Sequence, residues 1–177
     1  MIHHVVPWKT GNIGGGLNEA IALLPDDAWI CVRDGDTLFL TPQWGKQIEA
    51  VVEAQREHYA VIGAMTNRLR SPEQLHGGRI SDEVDIGVHV GIAKERWNAY
   101  GTAVRPLQDV AAGMLMIFSK QSWRAHPFVE KSIYFDRLFC EEARSRGGRI
   151  GVALGLYLFH LYRWGHPNPA SYVGHLA

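Results

Sequence analysis

The stretch Trp29-Ile30-Cys31-Val32-Arg33-Asp34-Gly35-Asp36 constrains this chain more than any other. An apolar run of β-forming residues ends in two carboxylates with one glycine between them. Burying the run fixes the backbone, so the acids are delivered to one defined place at a strand end. In an extended backbone the side chains at i and i+2 point the same way. Two such acids make a hard, oxygen-rich site that suits Mg²⁺ or Mn²⁺. Gly35 takes the side chain away between them and lets the backbone turn close to a ligand. Asp-Gly-Asp is also ordinary turn chemistry, so the rest of the chain must decide between the two readings.

Bulk properties narrow the field. A length of 177 residues favours one domain, residues 1–177, with a sizeable core. Hydrophobic residues at 46% and charged residues at 20% are those of a globular protein. Zero net charge provides no global field to recruit nucleic acid or a membrane surface. Cys31 and Cys140 are too few for a disulfide framework, which fits a reducing cytoplasm. No stretch is apolar for long enough to span a membrane, and Met1-Ile2-His3-His4 does not open a signal peptide.

Along the chain, strands alternate with helices. Ile2 to Pro7 reads as a strand, Thr10 to Gly16 as a Gly-rich turn, and Leu17 to Leu24 as a helix that stops before Pro25. Ala28 to Arg33 is a strand. Thr41-Pro42 starts a helix running to about Glu57, and Ala60 to Met65 is another strand. Ser71 to Val84 is a surface loop, Asp85 to Asn98 a helix, and Tyr100 to Gln108 a loop. Ala112 to Phe118 is a strand, and Ser119 to His126 a short helix. Ser132 to Arg146 is an amphipathic helix stopped by Gly147-Gly148. Arg149 to Ala153 and Leu156 to Leu161 read as two strands, and the tail from Tyr162 as irregular. This order defines an α/β class with a mixed, mainly parallel sheet flanked by helices. Polar residues gather after strands, at Asp34/Asp36 and at Thr66-Asn67-Arg68, which is the ligand-binding edge of open α/β sheets.

The residues that follow carry a resemblance. Asn12-x-Gly14, Asn18-x-Ala20, Asp34-Gly35-Asp36, Ala112-Gly113-Met114, Phe135-Asp136, Gly147/Gly148 and Leu158-Phe159-His160 stand in the order of a GT-A glycosyltransferase of the family-2 type. Several small phage and bacterial glycosyltransferases are similar, and the resemblance covers about Val5 to Arg163. It implies a compact, truncated GT-A (Rossmann-like) fold and a nucleotide-sugar donor, a UDP-sugar first of all. Asp34 and Asp36 match the family's D-x-D, which holds Mn²⁺ or Mg²⁺ on the donor diphosphate, and His160 matches a further metal ligand. Asp136 matches the general base of inverting enzymes, although Phe135 stands where the family's other acid is usual. Asn12, Gly14, Asn18, Arg68 and Gly113 match positions around the donor, and Trp123, His126 and Phe128 fall where acceptor contacts are expected. By the same analogy the acceptors include modified DNA, with arginines near the site as contacts. A homo-oligomer and the host cytoplasm of a phage-encoded member also belong to this expectation.

The resemblance departs at the N-terminus. GT-A enzymes begin with a strand-helix-strand unit that grips the nucleobase, and nothing before Asn12 matches it. Two other readings therefore stay open. One is a non-catalytic or weakened module that binds metal and nucleotide. The other is a haloacid-dehalogenase-like phosphatase, suggested by Asp34-x-Asp36-Thr37-Leu38 but lacking the expected glycine before the threonine.

Overall fold

The computed structural model describes residues 1–7 and 9–161. Trp8 and the expected irregular tail with Trp164, His166, Pro167 and Pro169 lie outside the described residues. The elements are β1 (Ile2–Val5), α1 (Ile13–Ala22), β2 (Trp29–Arg33), β3 (Thr37–Phe39), α2 (Trp44–Gln55), β4 (Val61–Thr66) and α3 (Ile86–Tyr100). They continue with β5 (Val104–Pro106), β6 (Leu115–Ser119), α4 (Lys120–Ala125), α5 (Phe135–Ser145) and β7 (Ile150–His160). None of the described helices is long and apolar enough to cross a membrane.

One seven-stranded sheet has the order β1-β2-β6-β4-β7-β3, with β5 also on β7. It is the mixed α/β sheet that the alternation implies. Four strands (β1, β2, β4, β7) run one way, but only two neighbouring pairs are parallel, β1–β2 and β4–β7. The other pairs are antiparallel, because β6 returns between β2 and β4 while β3 and β5 both meet β7 head to tail.

Period-2 alternation sorts side chains to the two faces. Ile30, Val32, Met116 and Phe118 join one core with Leu17 and Ile21 of α1 and Phe139 and Cys140 of α5. Cys31, Leu115 and Ile117 join the other with Ile48, Val51 and Val52 of α2. Both faces are thus covered, which is why β2 and β6 read as continuous apolar runs.

Three local expectations change. The Gly-rich turn is the first turn of α1, which starts at Ile13 rather than Leu17. Asn12 caps it by accepting the Gly15 N–H at 2.9 Å. A Cβ on Gly14 would lie 2.4 Å from the Val129 carbonyl oxygen, so that glycine serves close packing. The loop from Tyr100 to Gln108 contains β5, whose three residues gain their order from pairing with β7.

The third change matters most for the site. The two expected C-terminal strands are one strand, β7, with an irregularity in the middle. Ala153 pairs with Ala64, but Tyr157 pairs with Met65, so residues 154–156 bulge out of register. The bulge is bonded: Leu154 donates to the Ala103 carbonyl and its own carbonyl accepts from Arg96 Nε, 2.9 and 2.8 Å. A Cβ on Gly155 would sit 2.1 Å from the Gly101 carbonyl oxygen. Beyond the bulge, β7 turns onto β3, with His160 opposite Thr37.

Candidate metal centre and cleft

The acid pair occupies the turn between β2 and β3. Arg33 holds that turn, its Nη1 donating to the Asp34 and Thr37 carbonyls at 3.3 and 3.2 Å. Thr37 Oγ1 also donates to the Asp34 carbonyl, at 2.8 Å, and the Asp34 N–H donates to Met114 O. The Asp36 carbonyl accepts from the Leu161 N–H at 3.0 Å. The register of β3 on β7 is therefore what sets Asp36 beside His160.

His160 is 3% exposed and fixed from two sides. Its backbone N–H donates to Asn67 Oδ1 at 2.7 Å, and Asn67 Nδ2 donates back to its carbonyl at 3.2 Å. Its Nδ1 lies 2.9 Å from the Arg68 carbonyl. A carbonyl only accepts, so Nδ1 carries a proton and donates to it, which leaves Nε2 as the ring atom that faces the acids. Nε2 lies 3.3 Å from Asp36 Oδ1. An outer carbonyl on Nδ1 is the arrangement that orients a metal-binding histidine.

Among the described residues, Asp34, Asp36 and His160 form a group whose potential ligand atoms all lie within 4.8 Å of one another. An ion with ligands at about 2.1 Å spans about 4.2 Å between opposite donors. Two carboxylates and one imidazole fit Mn²⁺ and Mg²⁺. Burial pushes the Asp34 carboxyl above the usual range, and the nearby Asp36 and Asp136 charges add to the push, while His160 opposes it. A cation would reverse that balance.

A cleft of about 440 Å³ adjoins the group, and Asp34, Arg70, Gly113, Tyr134, Asp136 and His160 all line it. Asp136 stands in the first turn of α5. Its Oδ2 accepts the Gly113 N–H and its Oδ1 the Arg137 N–H, both at 2.8 Å. A Cβ on Gly113 would meet the Phe135 ring at 2.6 Å, so this glycine lets α5 pack close enough for the bond to form.

The remaining expected donor contacts are committed elsewhere. Asn12 caps α1, accepts from the Lys131 N–H and donates to Glu130. Asn18 donates to the Phe128 carbonyl and accepts from the Phe128 N–H and Trp123 Nε1. Gly14 faces Val129. Arg68 is buried, with Nε on the Ser81 carbonyl at 2.8 Å and Nη2 3.9 Å from Asp82. Its contribution to the site is its backbone carbonyl. Arg70, two residues on, lines the cleft, as does Arg137, which pairs with Asp109. Of the expected acceptor contacts, Phe128 is in the core and Trp123 packs against it, while His126 lines a separate cavity between α4 and α5. Nothing in the sequence around Arg33 or Tyr134 marks them for the site, because their partners there are set by the tertiary fold.

No protein-family model and no curated protein matches this chain.

Proposed function

We propose that the chain is a glycosyltransferase that uses a divalent cation and a nucleotide-sugar donor, a UDP-sugar in the first instance. One observation carries this reading: the Asp34, Asp36 and His160 donor atoms cluster beside the same cleft that Asp136 lines. Mn²⁺ or Mg²⁺ held by these three side chains would neutralise charge on the departing diphosphate. Asp136 takes the proton from the acceptor hydroxyl, the role a positioned carboxylate fills as general base. Its two backbone N–H bonds fix the carboxylate and leave lone pairs on both oxygens. Arg70 is a guanidinium on the cleft wall, of the chemistry that suits a phosphate oxygen. Asn67 and the Arg68 carbonyl keep His160 Nε2 aimed at the acids.

The test is EDTA-sensitive release of UDP from a panel of UDP-sugars with Mn²⁺. Asp36→Ala should lose roughly 100-fold or more. Asp136→Asn should lose roughly 10²–10⁴-fold while still binding UDP and Mn²⁺. Activity equal to wild type in Asp36→Ala would remove the acid pair from the metal site and end this reading.

A second reading, a module that binds metal and nucleotide without turnover, draws on the internal commitment of Asn12 and Asn18. Calorimetric binding of UDP–Mn²⁺ with no release of UDP from any donor would favour it. Modified DNA as acceptor gains little from the arginines expected to contact it, since Arg68 is buried on the Ser81 carbonyl, Arg144 donates to the Leu107 carbonyl, Arg146 pairs with Glu142 and Arg149 lies over the Tyr59 ring. A reducing cytoplasm suits the two buried thiols.

A further inference from the structure

Ile133 and Tyr134 are consecutive large apolar side chains, 79% and 60% exposed, and belong to neither core cluster. Both line the cleft that holds Asp34, Asp136 and His160, and the half-exposed Ile13 of α1 lines it too. Single exposed apolar residues are ordinary, but several converging on a cleft wall mark a place where something apolar docks.

The segment that carries the pair is tightly held. Asn18 grips both backbone groups of Phe128, at 2.8 and 3.0 Å. Asn12 accepts the Lys131 N–H at 2.9 Å, and Lys131 adopts φ 55, a left-handed conformation that costs a lysine energy. Ser132 Oγ accepts the Tyr134 N–H at 3.1 Å. The two asparagines expected beside the donor thus fix the backbone of the segment leading to these side chains. A tyrosine held this way offers a flat surface with only two torsions to freeze.

We infer that Ile133 and Tyr134 form the acceptor platform, seating a planar apolar ring of the acceptor next to the part of it that bears the attacking hydroxyl. The inference rests on the glycosyltransferase reading above. The occupant is the acceptor rather than the donor's base because Ile133, Tyr134 and Asp136 line one cleft at the start of α5, so a ring lying on Tyr134 has its substituents in the space that Asp136 borders. The donor's diphosphate would instead be drawn to a divalent cation held by Asp34, Asp36 and His160, which come from β-strand ends in other parts of the chain.

Saturation-transfer NMR on the full chain tests this, with Mg²⁺ and UDP present and phenyl β-glucoside or methyl β-glucoside as the probe. The platform predicts strong saturation of the phenyl ring and roughly 3- to 10-fold tighter binding of the phenyl than the methyl glycoside. Tyr134→Ala, at an exposed position, should abolish the ring signal, and Tyr134→Phe should keep it. The UDP signals should survive Tyr134→Ala and vanish in Asp36→Ala. An unchanged phenyl signal in Tyr134→Ala, no phenyl signal in wild type, or loss of the uracil signal in Tyr134→Ala would each overturn the platform. Absence of any UDP–Mg²⁺ binding would instead strike the glycosyltransferase reading, so the two failures are distinguishable.

Discussion

Asp34 is held where its own charge is unwelcome. Burial, Asp36 and Asp136 all favour its protonated form. A carboxyl whose folded-state pKa is raised keeps its proton longer in the folded than in the unfolded chain. Without metal, stability should therefore fall as pH climbs from the ordinary Asp value of about 3.9 through the raised one, and stay lower above it. Asp34→Asn should flatten that fall and raise the melting temperature at neutral pH in EDTA, while losing the further rise that Mn²⁺ gives the wild type. Thermal melts across that pH range, with and without metal, check both halves. Asn67 has the opposite character. Asn67→Ala removes both bonds to the His160 backbone and strands a buried N–H and carbonyl, so it should cost roughly 2–4 kcal/mol in a denaturant titration. The acids were readable because they end an apolar run. The packing roles of Asn12 and Asn18 were not, since both bond to residues more than a hundred positions away.

At the scale of elements, the bend in β7 decides whether a site exists. Its first half is buried core on β4, and its second half carries His160 to β3. Gly155→Ala would drive a Cβ against the Gly101 carbonyl, so it should destabilise the chain by roughly 1–3 kcal/mol and weaken Mn²⁺ binding as His160 shifts. Gly45→Ala, in α2 with open space around the new Cβ, should stabilise by about 0.5–1 kcal/mol and leave Mn²⁺ binding alone. Calorimetry on the pair separates a packing effect from a site effect. Long periodic elements such as α2, α5 and β2 were legible because burial on one face or both imposes their pattern. β3 and β5 were not: three residues carry almost no periodicity, and their order comes from β7. The bulge was misread as a break because a glycine in an apolar run signals either.

Across the whole molecule, the two thiols report on integrity. Cys31 and Cys140 lie on opposite faces of the sheet, each fully buried, and burial pushes each up to about 12. Neither should react with a thiol reagent while the chain is folded, and both should label together at the rate of global opening. Labelling of Cys140 well before Cys31 would show that α5 detaches by itself.

The hand-over from β2 to β7 has a kinetic consequence. Asp36, just after β2, and His160, at the end of β7, are far apart in sequence and meet only when β7 has docked on β3. Until that long-range closure, a cation needing all three side chains has nothing complete to hold. Saturating Mn²⁺ should then leave the refolding rate nearly unchanged and lengthen the lifetime of the folded state, in proportion to how tightly the ion is bound. Stopped-flow refolding and unfolding limbs would show the metal acting on one arm of the chevron alone.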